Sequence, residues 1–236
     1  HNYFKEHSAP KILKYLGKPF LHKLRMWDFL ASERVDTYLS NSNYIGEKIK
    51  KYYKRESKTL YPAVGLPNHR GQIVKEKKDF YLMVGRLKAY KKFDLAIKTF
   101  NKTKQKLVIV GVGEDLERLK KLNTNKNTKF VGFVSEIELQ RLYRHAKALL
   151  FPQVEDFGIT PIEAQNYGCP VIAYNKGGAK ETVINGKTGT LFDNQSPKGL
   201  KEAIEKSEKT KYNYVKIKKY SESFGKEHFQ KYLEEI

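Results

Sequence analysis

Cysteine is nearly absent. Cys169 is the single one in 236 residues, so no internal disulfide can form and a disulfide-stapled secreted fold is excluded. Its place at the head of an apolar run marks it as a small buried residue. Long apolar runs are also missing: no window reaches the roughly 18 apolar residues of a membrane span. No signal-peptide pattern is visible. No Asp-x-Asp occurs, and the six histidines show no metal-ligand spacing, so neither a metal nor another cofactor is expected. Arginine is scarce as well. Of 46 basic residues, 8 are Arg and the rest Lys. Specific nucleic-acid readers lean on Arg for bidentate contacts, and neither finger spacing nor an RNA-recognition aromatic pair is present. Nucleic acid is therefore not expected as a partner, despite the net charge of +20. Abundant Lys, Asn, Tyr and Ile is what an AT-rich genome would produce. The charge still favours acidic substrates and anionic membrane surfaces.

What the sequence does contain is alternation. Apolar runs stand at Phe80–Val84, Leu107–Val110, Phe130–Val134, Ala148–Phe151, Val171–Tyr174 and Thr190–Phe192. Helical patterns lie between them at Phe93–Phe100, Glu114–Leu122, Glu136–His145, Pro161–Tyr167 and Ala179–Ile184. Continuous apolar strands alternating with helices predict an α/β fold, a doubly wound, Rossmann-like parallel sheet covered on both faces. Ligands then bind at the carboxyl ends of the strands.

One stretch carries most of the chemistry: Val154-Glu155-Asp156-Phe157-Gly158-Ile159-Thr160-Pro161-Ile162-Glu163-Ala164. Thr160 suits an N-cap and Pro161 the first helical position. Gly168 is placed to end that helix. The N–H groups of Phe157, Gly158 and Ile159 would then form an anion site. Two flanking carboxylates suit hydroxyls, so the segment fits a nucleotide-sugar. Thr160-x-x-Glu163 equally reads as a capping box. The spacing of Glu155 and Glu163 resembles the glutamate-x7-glutamate motif of retaining GT-B glycosyltransferases of family 4, in its mannosyltransferase-like form. Gly168-Cys169-Pro170-Val171-Ile172-Ala173 and Gly177-Gly178-x-x-Glu181-Thr182-Val183 continue the resemblance over nearly the whole chain.

The resemblance implies roles for further residues. Gly85 and Arg86 end the first strand of the complete domain. Arg86 and Lys91 would hold the donor diphosphate and stabilise the leaving group, with Lys91 preferred over Lys92 by register. Otherwise Arg86 pairs with a core-edge acid and Lys91 is a solvated lysine. Backbone groups at Val134 would hold the nucleobase, unless Gly132-Phe133-Val134 is an ordinary strand end. Glu155 would orient the sugar hydroxyls, Glu163 the ribose diol. Gly111-Val112-Gly113 lacks the third glycine of a dinucleotide fingerprint, since Leu116 stands there; it reads as a tight turn allowing close ligand approach. Gly177-Gly178 with Glu181 reads as a structural turn near the donor.

Residues 1–68 read differently, as the end of an acceptor-binding domain whose first part is missing, followed by a linker. Residues 69–210 are the expected donor-binding domain and 211–236 the crossover helices. The implied reaction is retaining transfer of a hexose from GDP-mannose, or from a UDP-sugar, to a glycan or lipid-linked acceptor. The enzyme is expected in the cytoplasm, peripheral on the inner face of the membrane. The rival readings are a non-catalytic nucleotide-sugar-binding module and a basic membrane-surface or nucleic-acid-binding protein.

Overall fold

The computed structural model describes residues 11–66, 73–74 and 76–235, with side chains from residue 19 onward. The chain divides into two compact units, His1–Leu60 and Tyr61–Ile236. No helix among the described residues is long and apolar enough to cross a membrane.

The smaller unit holds α1 (Lys11–Ser32) and one βαβ turn: β1 (Leu39–Ser40), α2 (Asn43–Tyr53) and β2 (Lys58–Thr59). β1 and β2 pair in parallel. α2 starts where the Ser42 side chain accepts from the Ile45 N–H at 3.1 Å, the expected use of an N-cap serine. It ends at Lys54, which adopts the left-handed conformation at φ 57°.

The larger unit is a six-stranded, all-parallel sheet. Its strands are β3 (Tyr81–Val84), β4 (Leu107–Val110), β5 (Thr128–Gly132), β6 (Leu149–Phe151), β7 (Val171–Tyr174) and β8 (Gly189–Phe192), in the spatial order β5-β4-β3-β6-β7-β8. Chain order reverses between β3 and β6, so the topological switch point lies there. The connecting helices are α3 (Phe93–Phe100), α4 (Leu116–Leu122), α5 (Glu136–His145), α6 (Ile159–Asn166), α7 (Ala179–Thr182), α8 (Pro197–Lys209), α9 (Tyr214–Glu222) and α10 (Lys226–Glu234).

Strand alternation sorts the core into two layers. Tyr81, Met83, Leu107, Ile109 and Ile172 face one way, packing with Phe93, Ile97 and Phe100 of α3 and with Leu200 and Ile204 of α8. Leu82, Leu149, Phe151, Val171 and Ala173 face the other way, against Tyr143 of α5 and Ala164 of α6. Each such fully buried side chain contributes about 1.5–3 kcal/mol. That double burial is why the strands read as continuous apolar runs.

Three details depart from the sequence reading. The third strand runs Thr128–Gly132, two residues earlier than expected, because Gly132 at φ 71° turns the chain out of the sheet. α8 fills a stretch assigned no helix; Ser196 caps it, accepting from the Gly199 N–H at 3.1 Å, and Pro197 takes the first turn. The C-terminal helical stretch breaks at Ser223–Gly225 into α9 and α10. Of the expected linker, Pro67 and Asn68 lie outside the described residues, while Gly65 and Leu66 belong to the larger unit.

Candidate functional site

The loops after β3 to β7 share the carboxyl edge of the sheet. The loops after β3 and β4 are tied backbone to backbone. The Gly85 N–H donates to the Val110 carbonyl at 3.0 Å and the Leu87 N–H to the Val112 carbonyl at 3.0 Å. A side chain on Gly111 would start 1.9 Å from the Gly85 oxygen, and one on Gly113 would start 2.4 Å from the Leu87 oxygen. These glycines therefore admit a neighbouring loop, the tight turn expected of them.

Arg86 is exposed and makes no ion pair among the described residues, so the core-edge pairing does not occur. Lys91 ends a single 3-10 turn, Ala89–Lys91. Its ammonium donates to Oε1 of Glu155, in the loop after β6, and both side chains are more than four-fifths buried. Burial pulls the Lys91 ammonium below the usual lysine range. The Lys91 side chain also runs beside Gly85: its Cε would lie 3.8 Å from a Cβ placed there. Lys92 instead begins α3 in the left-handed conformation.

Glu155 is held from two further sides. Gln153, buried at the end of β6, donates to Oε1 at 3.4 Å. The Gly178 N–H donates to the Glu155 carbonyl at 2.9 Å. A Cβ on Gly177 would fall 2.4 Å from that same carbonyl, and one on Gly178 2.2 Å from the Phe157 carbonyl. The paired glycines thus let the loop after β7 clasp the Glu155–Phe157 backbone, the structural role expected of them. Gln153 was not legible in the sequence; its position one strand residue from a proline gives no signal for it.

The helix carrying Glu163 starts earlier than its sequence suggests. Gly158, at φ 94°, is the N-cap, and Ile159 and Thr160 are the first two helical residues. Thr160 caps nothing, and no side chain caps this end. A glycine in the left-handed region turns the chain sharply enough to begin a helix two residues before Pro161. The capping box is therefore not formed. The Glu163 carboxylate instead accepts from the Tyr143 hydroxyl of α5 at 3.3 Å. Burial raises its carboxyl above the ordinary range, partly offset by that hydrogen bond. Glu163 opens on a cavity shared with Gly65, Leu66, Tyr143 and Asn166. The Asn166 amide nitrogen is buried there with no partner among the described residues.

Phe157 and Val134 offer ligands only backbone. The Phe157 ring stacks on Tyr61 at 5.7 Å and packs against Phe224, and Val134 packs into the second core layer. α9 lies on α6, the helix bearing Glu163, and its Tyr220 hydroxyl donates to the Glu181 carbonyl of α7 at 2.9 Å.

The model of the family "Glycosyl transferases group 1" matches residues 67–224. The chain belongs to that family. Its doubly wound unit is a GT-B-type Rossmann-like fold: the Anabaena protein HepE, solved in complex with UDP and glucose, superposes with a TM-score of 0.73 at 20% identity, covering 90% of this chain and 65% of its own. Among curated members of the group 1 glycosyltransferases, an alpha-1,3/1,6-mannosyltransferase ALG2 of Dictyostelium discoideum is 28% identical over 205 residues, 66% of this chain and 49% of its own length. A GDP-mannose-dependent alpha-(1-6)-phosphatidylinositol monomannoside mannosyltransferase of Mycobacterium tuberculosis is 38% identical over 110 residues, 42% of this chain and 29% of its own. The chain thus spans about half or less of the length of these curated relatives.

Proposed function

We propose that the protein transfers a hexose from a nucleotide-sugar, with retention at the anomeric carbon, to a glycan or lipid-linked acceptor, and that the donor is GDP-mannose. One observation carries the reading. Lys91 and Glu155 meet at the switch point between β3 and β6, where doubly wound sheets bind their ligands.

In this reading Arg86, Lys91 and the uncapped N-terminus of α6 receive the diphosphate. The N–H groups of Phe157, Gly158, Ile159 and Thr160 lie along that end, and a helix N-terminus favours negative charge. Gly85 lies beside the Lys91 side chain. These groups stabilise the charge that develops on the departing phosphate. The phosphate takes the acceptor proton on the same face, which gives retention without a protein nucleophile. Glu155 orients the sugar hydroxyls. Glu163 accepts from the ribose diol, and the Val134 backbone meets the base.

Mannose is supported by the two mannosyltransferase relatives. A UDP-sugar is the second reading, favoured by the UDP bound in HepE. Melting the protein with GDP-mannose, UDP-glucose, ADP-glucose and dTDP-glucose decides between them. GDP-mannose is expected to raise the melting temperature most. A larger rise with UDP-glucose selects the second reading, and no rise with any donor overturns both.

A further inference from the structure

The amino edge of the sheet, opposite the Lys91–Glu155 crevice, holds a cavity of about 350 Å³. It opens beside the starts of β3 and β6 and the last turn of α8, and Lys77, Tyr81, Lys147, Glu208, Tyr212 and Tyr214 line it. That volume suits a small molecule.

Most of the wall is already satisfied. Lys147 pairs with Asp79 at 2.7 Å and Glu208 at 3.4 Å. The Tyr81 hydroxyl and the Gln105 amide each donate to Glu208 Oε1 at 2.9 Å. The Tyr212 hydroxyl lies 2.8 Å from Thr190 Oγ1 and 3.2 Å from Ser207 Oγ.

Lys77 is different. Its ammonium donates to the Arg144 carbonyl at 2.7 Å and lies 4.7 Å over the Tyr214 ring. No carboxylate among the described residues pairs with it. Burial is what pulls its proton affinity down. A desolvated ammonium without a counter-charge is costly, and two of its three N–H groups remain for a ligand. Nearby, His145 is held below its ordinary range by burial first, then by Lys78, Lys77, Arg141 and Arg144, whereas the acids Asp79 and Glu208 stand on the Lys147 side. Across the cavity, every hydrogen bond to the Glu208 carboxylate among the described residues uses Oε1, which leaves Oε2 to accept a hydroxyl.

We propose that this cavity binds a small hydroxylated anion, a sugar phosphate or a sugar acid. Its charged group sits on Lys77 and the Tyr214 hydroxyl, and one hydroxyl donates to Glu208 Oε2. The site is separate from the donor crevice and takes no part in the transfer step.

Melting of the protein with glucose 6-phosphate, glucuronate, inorganic phosphate and neutral glucose tests it, with GDP present or absent. The expected result is a rise of roughly 2–4 °C at millimolar glucose 6-phosphate or glucuronate, none with glucose, and no loss of the rise in saturating GDP. Whichever of the two anions gives the larger rise identifies the phosphate or the carboxylate source. Lys77→Met, which keeps the stem and removes the buried charge, is expected to melt no lower than wild type and to lose the response. Tyr214→Phe keeps the ring and is expected to weaken binding roughly five- to tenfold. Glu163→Gln is expected to leave the response intact. No rise with either anion overturns the proposal. So does an equal rise in Lys77→Met and Tyr214→Phe, or a rise that GDP abolishes, which would put the anion in the donor crevice instead.

Discussion

Lys91 and Glu155 form an ion pair across the seam between β3 and β6, 64 residues apart in sequence. Each neutralises the other in a largely buried setting, so a diphosphate approaching Lys91 must compete with Glu155 for it. Removing one partner strands the other. Lys91→Met and Glu155→Gln are each expected to lower stability by about 1–3 kcal/mol, and the double variant to recover most of that loss, because neither charge then remains unpaired. Urea unfolding of the four members of the cycle measures the coupling; simple additivity would show that the pair is not formed in solution.

The same residues carry the rate prediction. Under the proposed function, Arg86→Ala and Lys91→Ala are each expected to slow transfer by about two to three orders of magnitude, the usual loss for one pre-organised charge-stabilising group. Turnover near wild type in both variants rejects the diphosphate role.

Glu163 gives a prediction in pH. Burial raises its carboxyl above the ordinary range, so the folded chain binds this proton more tightly than the unfolded chain. Between the unfolded value and the raised folded value, stability therefore falls as pH rises. Ribose hydroxyls need the charged acceptor, so nucleotide affinity is expected to rise with pH across the same window. Glu163→Gln is expected to flatten both profiles and to weaken nucleotide binding by about 1.5–3 kcal/mol. Calorimetric titration of GDP at several pH values, beside melting curves, reads both; unchanged affinity with a lowered melting temperature would leave Glu163 a purely structural residue.

Much of this architecture was legible because strands buried on both faces write themselves as apolar runs, as at Leu107–Val110 and Val171–Tyr174, and because amphipathic helices with clear ends show their period, as at Phe93–Phe100 and the Ser135-capped Glu136–His145; all four have the boundaries the pattern predicts. What escaped was set by backbone conformation and tertiary partners. The start of α6 depends on Gly158 adopting a positive φ, which overrides the Thr160-Pro161 signal. α8 hid behind a Ser-Pro pair that also reads as a loop. The partner of Glu163 is Tyr143, 20 residues away on another helix, and no local pattern announces it. Register with the family pattern singled out Lys91 over Lys92, but its pairing with Glu155, 64 residues away, had no signal in the sequence.

The loop clasp is testable by adding single methyl groups. Gly177→Ala places a Cβ against the Glu155 carbonyl in a residue at φ 72°, and Gly111→Ala places one against the Gly85 carbonyl. Each is expected to cost about 1–3 kcal/mol of stability and to reduce nucleotide affinity through displacement of Glu155 or of the Gly85–Lys91 loop. Gly65→Ala, which meets nothing within 4 Å, serves as the control for stability alone, since Gly65 lines the cavity of Glu163. Wild-type stability and affinity in both variants would mean that the loops are free to separate.

Association with an anionic membrane surface is the last expectation, and it rests on the smaller unit. α1 exposes Phe20, Leu24, Met26, Trp27, Phe29 and Leu30 among basic residues, the make-up of an interfacial helix. The basic flank is thinner than its sequence suggests. Of Lys48, Lys50, Lys51, Lys54, Arg55 and Lys58, Lys50 is neutralised by Glu56 at 2.7 Å, while Arg55 is tied to the Val35 carbonyl at 2.7 Å with its charge kept. Tyr53 turns inward to Asp28. Each lysine near the surface adds about 1 kcal/mol of attraction to anionic lipid, so even the reduced set gives measurable binding when the apolar side inserts. Co-sedimentation is expected to rise with the phosphatidylserine fraction and to fall with salt. Trp27→Ala is expected to weaken binding at every lipid composition, and Lys51→Glu/Lys54→Glu only with anionic vesicles. Equal pelleting with neutral and anionic vesicles, or none with either, removes the membrane role and leaves the charge of this unit as a solvated face.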